Sequence, residues 1–246
     1  MLQFKYKLFI MTSWCHILSL LGISTNLLLM ASGTPTPEQN YERQSNCSRY
    51  FCQAHTNPNP LQGCPPGTIL VSKSRSISKF NTIQSALDSL PHDQSAQSIL
   101  ILAGNYTEQL NITRTGPLNL FGETEQINNA STNKVTVLWA SINGTSPWGG
   151  ISDNVYTSVL TVSPTLDASL TGSGPTGYPV PENTSFGNGN FRVYNIDFRN
   201  VYSEAATGPS HALSFSRANG GFYYSGFYSY QDTVCKICKA QLLQTY

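Results

Sequence analysis

Apolar residues come in short runs through most of this chain, broken by Gly, Asn and Ser, and one stretch departs from that habit. In "FNTIQSALDSLP", Ile83, Ala86, Leu87 and Leu90 fall on one face at helical spacing. Asn81 is the expected N-cap, with Gln84 three residues on, and Pro91 ends the segment. After this helix, strand signals dominate. "SILILAG" is a continuous apolar run, fit for a strand buried on both faces. "YTEQLNI", "PLNLFG", "KVTVLW", "SVLTVS", "FRVYNIDFRN", "ALSFS" and "GFYYSGFYSY" follow as further strands. No second long helical pattern intervenes, which argues against repeated βαβ units. The apolar peaks return at roughly 20-residue intervals, interrupted by a long Gly/Pro insertion at 163–190. That rhythm fits a sandwich or a parallel β-helix. In a β-helix each rung stacks on the last, and a helix at the N-terminal end covers the open core.

The N-terminus changes the picture of where the chain works. Lys5 and Lys7 give a positive start, and no charged residue then appears until Glu38. "ILSLLGISTNLLLMASG" supplies an apolar region and a small-residue exit at Ala31-Ser32-Gly33. Residues 1–33 therefore read as a secretory signal peptide with cleavage near Gly33, and the mature protein as secreted and free of the membrane. An uncleaved signal anchor is the alternative, since the uncharged stretch reaches the roughly 20 residues that span a bilayer. Its interior Ser, Thr and Asn favour secretion. Six N-x-S/T sites, at Asn46, Asn105, Asn111, Asn129, Asn143 and Asn183, are compatible with a glycoprotein. Residues 34–66 carry "TPTPEQ", "NPNPLQ" and "CPPG", an irregular lead-in rather than a packed element. Cys47, Cys52 and Cys64 lie in it and are candidates for a disulfide, with connectivity open.

Charged residues make up 11% of the chain, against about 25% in ordinary soluble domains. With a net charge of +1 and no basic run interleaved with aromatics, a nucleic-acid partner is not expected. A polar surface with few ions suits a neutral or sugar-like partner. Against this background "YSYQDTV" stands out, because Gln231 and Asp232 sit in a run of aromatic residues. Asp232 reads either as a solvated turn residue or as a catalytic acid.

Five stretches decide for a resemblance. "FNTIQSALDSLP", "ILILAGNYTEQLNI", "YNIDFRN", "GPSHALSFS" and "FYSYQDTV" together resemble the pectin methylesterases, in particular the fungal ones, over about residues 64–234. The resemblance implies an all-β chain, a right-handed parallel β-helix over 67–234 with a short N-terminal capping helix. It implies removal of methyl esters from the galacturonate units of pectin (homogalacturonan), with no metal and no cofactor, by a monomer. One aspartate attacks the ester carbonyl, a second protonates the departing methanol, glutamine amides hold the oxyanion, and an arginine orients the nucleophile. By matching motif, Asp232 takes the acid/base place and Gln231 an oxyanion place. Where many members carry a second oxyanion glutamine this chain has His211, either a one-bond donor or a solvated histidine beside a strand.

Physical chemistry is consistent with those roles. A carboxyl that gives a proton to methoxide must start protonated, and an unperturbed aspartate titrates at about 3.9. Partial burial beside Phe227, Tyr228 and Tyr230 is expected to favour the protonated form. Tyr228 and Tyr230 are also candidates for an aromatic sugar subsite, or else for the core. Gln231 brings two N–H donors without charge, which suits a transient oxyanion. Neighbours on an ideal strand face opposite ways, so a bulge or turn must break the alternation if Gln231 and Asp232 share one groove.

The match stops short of the family's nucleophile. No Asp-Phe motif follows Asp232, and "CKICKAQLLQTY" stands where continuing strands are expected. Residues 235–246 therefore read as a divergent tail and the β-helix as incomplete at its C-terminus, with little esterase activity expected. Cys235 and Cys238 lack a second Cys/His pair at zinc-site spacing. Asp197 alternates with Ile196 and Phe198, the habit of an outward strand residue, and has no motif support as nucleophile. A β-helix that binds polysaccharide without turning it over, or an inactive fragment, is the competing reading.

Overall fold

Residues that alternate along a strand can bury one face only if something lies across it, and here that something is the next turn of the same chain. The computed structural model describes residues 49–54, 58–142, 153–170, 182–202, 208–236 and 241–243. The strands β1 (Ile69–Val71), β2 (Gln97–Ile101), β5 (Leu118–Gly122), β8 (Phe191–Tyr194), β11 (Asn219–Tyr223) and β14 (Gln241–Leu243) form one sheet in that order. A second sheet holds β3 (Gly104–Thr107), β6 (Val135–Trp139), β9 (Ile196–Asn200) and β12 (Gly226–Tyr228). A third holds β4 (Leu110–Ile112), β7 (Leu160–Val162), β10 (Leu213–Phe215) and β13 (Val234–Lys236). Every ladder between these strands is parallel. The chain visits the three sheets in rotation and returns, which is a parallel β-helix and not a sandwich.

Register decides what fills the inside. Tyr106, Val137, Phe198 and Phe227 pair in succession up the second sheet, and Leu110, Leu160 and Leu213 up the third. The rings of Phe198 and Phe227 stack at 5.5 Å, and Phe222 meets Phe227 edge-on at 4.9 Å. Three predicted strands prove to be two each, bent at a corner, among them "GFYYSGFYSY", which divides between β11 and β12 at Tyr224. "FRVYNIDFRN" breaks at Asn195, whose φ of 56° lies in the left-handed region that Asn tolerates. "YTEQLNI" divides between β3 and β4.

The predicted helix is α1 (Ile83–Asp88), with Ile83 and Ala86 fully buried and Leu90 nearly so, all three within the core at the first turn. Its cap is Thr82 rather than Asn81, because Phe80 still bridges to Val71 and holds the chain extended one residue longer. Thr82 Oγ1 accepts from Ser85 N–H, and the Glu108 carboxylate takes the N–H groups of Ile83 and Gln84, each at 2.9 Å. Those bonds satisfy donors that a helix start leaves unpaired.

The lead-in is more ordered than its composition suggests. Residues 49–53 form a helical turn that lies on the outer face of the first sheet. "SILILAG" explains why: Ile99 and Ile101 point inward, so Leu100 and Leu102 need cover outside. Cys52 supplies it, packing with Leu100, Leu102 and Phe121 in a second apolar cluster. Cys52 and Cys64 are joined, S–S 2.04 Å. Gln53 is fully buried and donates to Gly122 O at 2.8 Å and to Asn195 Oδ1 at 3.1 Å. Arg49 lies 4.7 Å over the Tyr194 ring, itself stacked on Tyr223 at 4.7 Å.

The tail also departs from expectation. Val234–Lys236 pairs with Leu213–Phe215, and Gln241–Leu243 with Asn219–Gly221, so part of 235–246 continues the rungs. Ladder bonds come from backbone groups, which a divergent sequence still provides. The signal-peptide segment and Cys47 lie outside the described residues. No helix among the described residues is long and apolar enough to cross a membrane.

Gln53→Ala takes one donor from two buried acceptors, and the expected loss is about 1–3 kcal/mol of unfolding free energy in a urea titration with the disulfide intact. Phe198→Ala opens the stacked core and is expected to cost more, about 3–5 kcal/mol. An unchanged midpoint in the first variant would mean that the outer turn contributes nothing to the fold.

Candidate functional site

The segment from Ser229 to Thr233 joins β12 to β13 and is pinned to the rung beneath it. Ser210 N–H donates to Gln231 O at 3.1 Å, and the N–H groups of Ala212 and Leu213 share Thr233 O at 2.8 and 3.2 Å. Ser229 Oγ has the carbonyls of Ser210 and Gln231 both within reach of its single O–H, and accepts from Gln231 N–H at 3.2 Å. Asp232 has a φ of 54°, in the left-handed region. The turn this creates interrupts strand alternation, and Gln231 and Asp232 are both solvent-exposed. The partial burial expected for Asp232 beside the rings is absent, because the turn carries it outward while Phe227 packs inward against the core. Surface hollows lined by Leu90, Asn111 and Arg114, and by Thr113, Thr165 and Asp167, share no residue with this corner.

His211 is not a solvated histidine. It is 4% exposed, its N–H donates to Thr157 Oγ1 at 2.8 Å, and its carbonyl accepts from Asn200 Nδ2 at 3.2 Å. Its ring Nδ1 is buried with no hydrogen-bond partner. Burial pushes the imidazole below its ordinary pKa, and the negative charge of Asp232 opposes that shift.

The two candidate aromatic residues differ. Tyr230 is 51% exposed and Tyr228 43%. The Tyr228 side chain lies back over Gly226, where an added Cβ would stand 2.5 Å from its ring and 2.8 Å from Asp197 Oδ1. Arg199 sits 3.8 Å over the Tyr228 ring and pairs with Asp197 at 2.9 Å. One face of Tyr228 is thus occupied. Its phenol is pushed above the ordinary value by burial first and then by the Asp197 charge, with Arg199 opposing. Asp197 points outward from β9 as alternation requires, yet it is only 7% exposed and also accepts from Asn133 Nδ2 at 2.9 Å. Arg199 was not singled out in the sequence. The Asp-x-Arg spacing of outward positions in "IDFRN" is the signal that marks it.

Among the described residues no group of three or more His, Cys, Asp or Glu side chains is placed to hold a metal ion. What the corner presents is an exposed carboxyl, an exposed amide, an exposed phenol ring and a buried imidazole beneath the carboxyl. A carboxyl can give or take a proton, and an amide can stabilise an oxyanion without adding charge.

No family model matches the chain. A probable pectinesterase A of Aspergillus niger is 31% identical over 219 residues, which is 89% of this chain and 52% of that protein. The probable pectinesterase A of Neosartorya fischeri is 29% identical over 218 residues, 89% of this chain and 50% of that protein. The crystal structure of the pectin methylesterase from Aspergillus niger matches with a TM-score of 0.53 at 27% identity, over 74% of this chain and 49% of that one. The chain spans about half the length of the curated relatives it matches. In sequence and in fold, then, the chain is a homologue of the fungal pectinesterases.

Proposed function

We propose that the chain carries part of the active site of a pectinesterase, which cleaves the methyl esters of galacturonate units in pectin to give methanol and pectate. The observation that carries this reading is the exposed pair of Gln231 and Asp232, held on a turn that the rung below fixes through Ser210, Ala212 and Leu213. In this reading Asp232 gives its proton to the departing methoxide and later takes one from the attacking water. The Gln231 amide donates to the oxyanion of the tetrahedral intermediate, a contact worth about 3 kcal/mol of barrier. Tyr230, whose ring is the more exposed, stacks on a sugar face, whereas one face of Tyr228 is already covered by Arg199. His211, placed by resemblance among the oxyanion donors, is only 4% exposed.

The reaction also needs a carboxylate nucleophile. The resemblance assigns that role to an aspartate in an Asp-Phe motif after Asp232, and residues 233–246 contain none. We propose further that the mature chain is secreted, unattached to membrane, monomeric and glycosylated. Support comes from the positive start followed by an uncharged run to Glu38, and from exposed Asn105 and Asn183 in N-x-S/T sites.

Methanol release from methyl-esterified pectin tests the reaction. Little release is expected from the 246-residue chain, and ready release from a chain extended with the pectinesterase segment that carries the Asp-Phe motif. In the extended chain Asp232→Asn is expected to lower kcat by about 100- to 10,000-fold while pectin binding persists. Equal rates in the two chains would refute the need for that segment, and full activity of Asp232→Asn would remove Asp232 from the chemistry. Binding gives a separate check: Tyr230→Ala is expected to weaken affinity for a pectin oligosaccharide by about five- to tenfold, the size of a lost ring contact near 1 kcal/mol. An unchanged dissociation constant would exclude Tyr230 from the subsite.

A further inference from the structure

Asp197 is a buried carboxylate on the outer face of the second sheet, and both of its oxygens are engaged. Asn133 Nδ2 donates to Oδ1 at 2.9 Å, and Arg199 Nη2 to Oδ2 at 2.9 Å. Behind Asn133 runs a file of amides. Asn133 Oδ1 accepts from Asn195 Nδ2 at 3.0 Å, and Asn195 Oδ1 from Gln53 Nε2 at 3.1 Å. An amide whose oxygen is engaged on one side must present its N–H groups to the other. Asn133 therefore has one way to face Asp197, and the carboxylate that meets Arg199 is fixed from behind.

Arg199 is held a second time by Tyr228. Its Cζ lies 3.8 Å over that ring, which has room to lie on the sheet because position 226 is glycine. A guanidinium carries five N–H groups in a planar fork. Nη2 donates to Asp197, and Arg199 makes no other hydrogen bond among the described residues. Its side chain is 39% exposed. A cation oriented by a carboxylate and a ring, with most of its donors facing no protein acceptor, is preorganised for an anion from solution.

The surroundings indicate which anion. Arg199 pairs with Tyr228, the last residue of β12, and the turn that presents Gln231 and Asp232 begins at the next residue. Tyr228 and Asp232 are four residues apart, at most about 14 Å of chain. Val201 and Tyr202 are exposed where the chain leaves β9, as is Tyr230 where it leaves β12. The register continued two residues past the Arg199–Tyr228 pair sets Val201 one rung below Tyr230. An apolar and aromatic surface edged by a guanidinium matches a sugar acid, with C–H faces for the rings and a carboxylate for the fork. A methyl ester offers such a fork no charge.

We propose that Arg199 is a specificity-determining residue, binding the free carboxylate of an unesterified galacturonate a short way along the pectin chain from the ester at Asp232. The proposal rests on the reading of this corner as the pectin site and adds a preference to it. Partly de-esterified pectin is taken better than fully esterified pectin, with an ester at the turn and an acid at Arg199.

Two oligogalacturonates of equal length, one unesterified and one fully methyl-esterified, test this in calorimetric titrations of the 246-residue chain. Arg199→Gln is expected to weaken binding of the unesterified oligomer about tenfold, the low end for a hydrogen-bonded charge, and of the methyl-esterified one by at most about twofold. Should Arg199→Gln lower the urea midpoint, Arg199→Lys serves instead. It keeps the charge without the planar fork, and a loss of about threefold confined to the unesterified oligomer is expected. Equal losses for both oligomers would make Arg199 a support for the rings and overturn the proposal. So would unchanged binding, or an unaltered chain that does not bind the unesterified oligomer. Methanol release by the extended chain, with binding of the unesterified oligomer indifferent to Arg199→Gln, keeps the esterase and refutes the carboxylate site. Selective loss of that binding, with no methanol from any chain, does the reverse.

Discussion

Stacking of like position on like position governs this molecule. In a parallel coil each residue rests on the residue one turn below it, so a choice made in one rung constrains every rung above. Inside, that rule produces columns of single character, such as Tyr106, Val137, Phe198 and Phe227 in the second sheet. Apolar surfaces meet at close range, and the polar atom in this column, the Tyr106 hydroxyl, donates to Leu102 O at 2.9 Å. Outside, the same rule lines up groups that sequence separates widely. Asp197 and Arg199 on β9 meet Gly226 and Tyr228 on β12, so the missing side chain of Gly226 makes room for the Tyr228 ring.

Corners are where the rule is relaxed, and the chemistry gathers there. Asn195, Tyr224 and Asp232 all have left-handed backbones, with φ of 56°, 52° and 54°. For tyrosine and aspartate this conformation costs energy that surrounding bonds must offset. At Asp232 the offset comes from neighbours rather than from its own side chain. Ser210, Ala212 and Leu213 hold the carbonyls on either side of it, at Gln231 and Thr233. The exposed carboxyl is therefore carried by a backbone that is well fixed.

Much of the architecture could be read from pattern. The stripe Ile83, Ala86, Leu87 and Leu90 gave a helix facing the core, and "SILILAG" gave a strand covered on both sides, because burial periodicity is a local property of sequence. What covered the outer side of that strand was not legible. Gln53 and Cys52 lie in a Pro-rich segment whose composition argues for a loop, and their docking depends on residues far along the chain. The corner at Asp232 was anticipated as a break in alternation, from the demand that amide and carboxyl meet at one ester. Its exposure was not, because which way a turn throws a side chain is set by φ and by the rung beneath, neither of which composition encodes. The burial of His211 escaped for the same reason.

The outer turn at 49–53 also orders events in time. Gln53 bonds to Asn195, 142 residues away, and to Gly122, 69 residues away. Gly122 is placed once β5 has paired with β2, but Asn195 is not in place until the coil has wound through β8, since it sits at the corner that follows β8. Contacts of such long range are reached only after the nearer pairings have closed the intervening loops. A segment made early by the ribosome thus waits for the coil and seals it late. Through that wait Leu100 and Phe121 stand uncovered on a growing sheet face, the period in which a quality-control factor that reads exposed apolar surface has most to recognise.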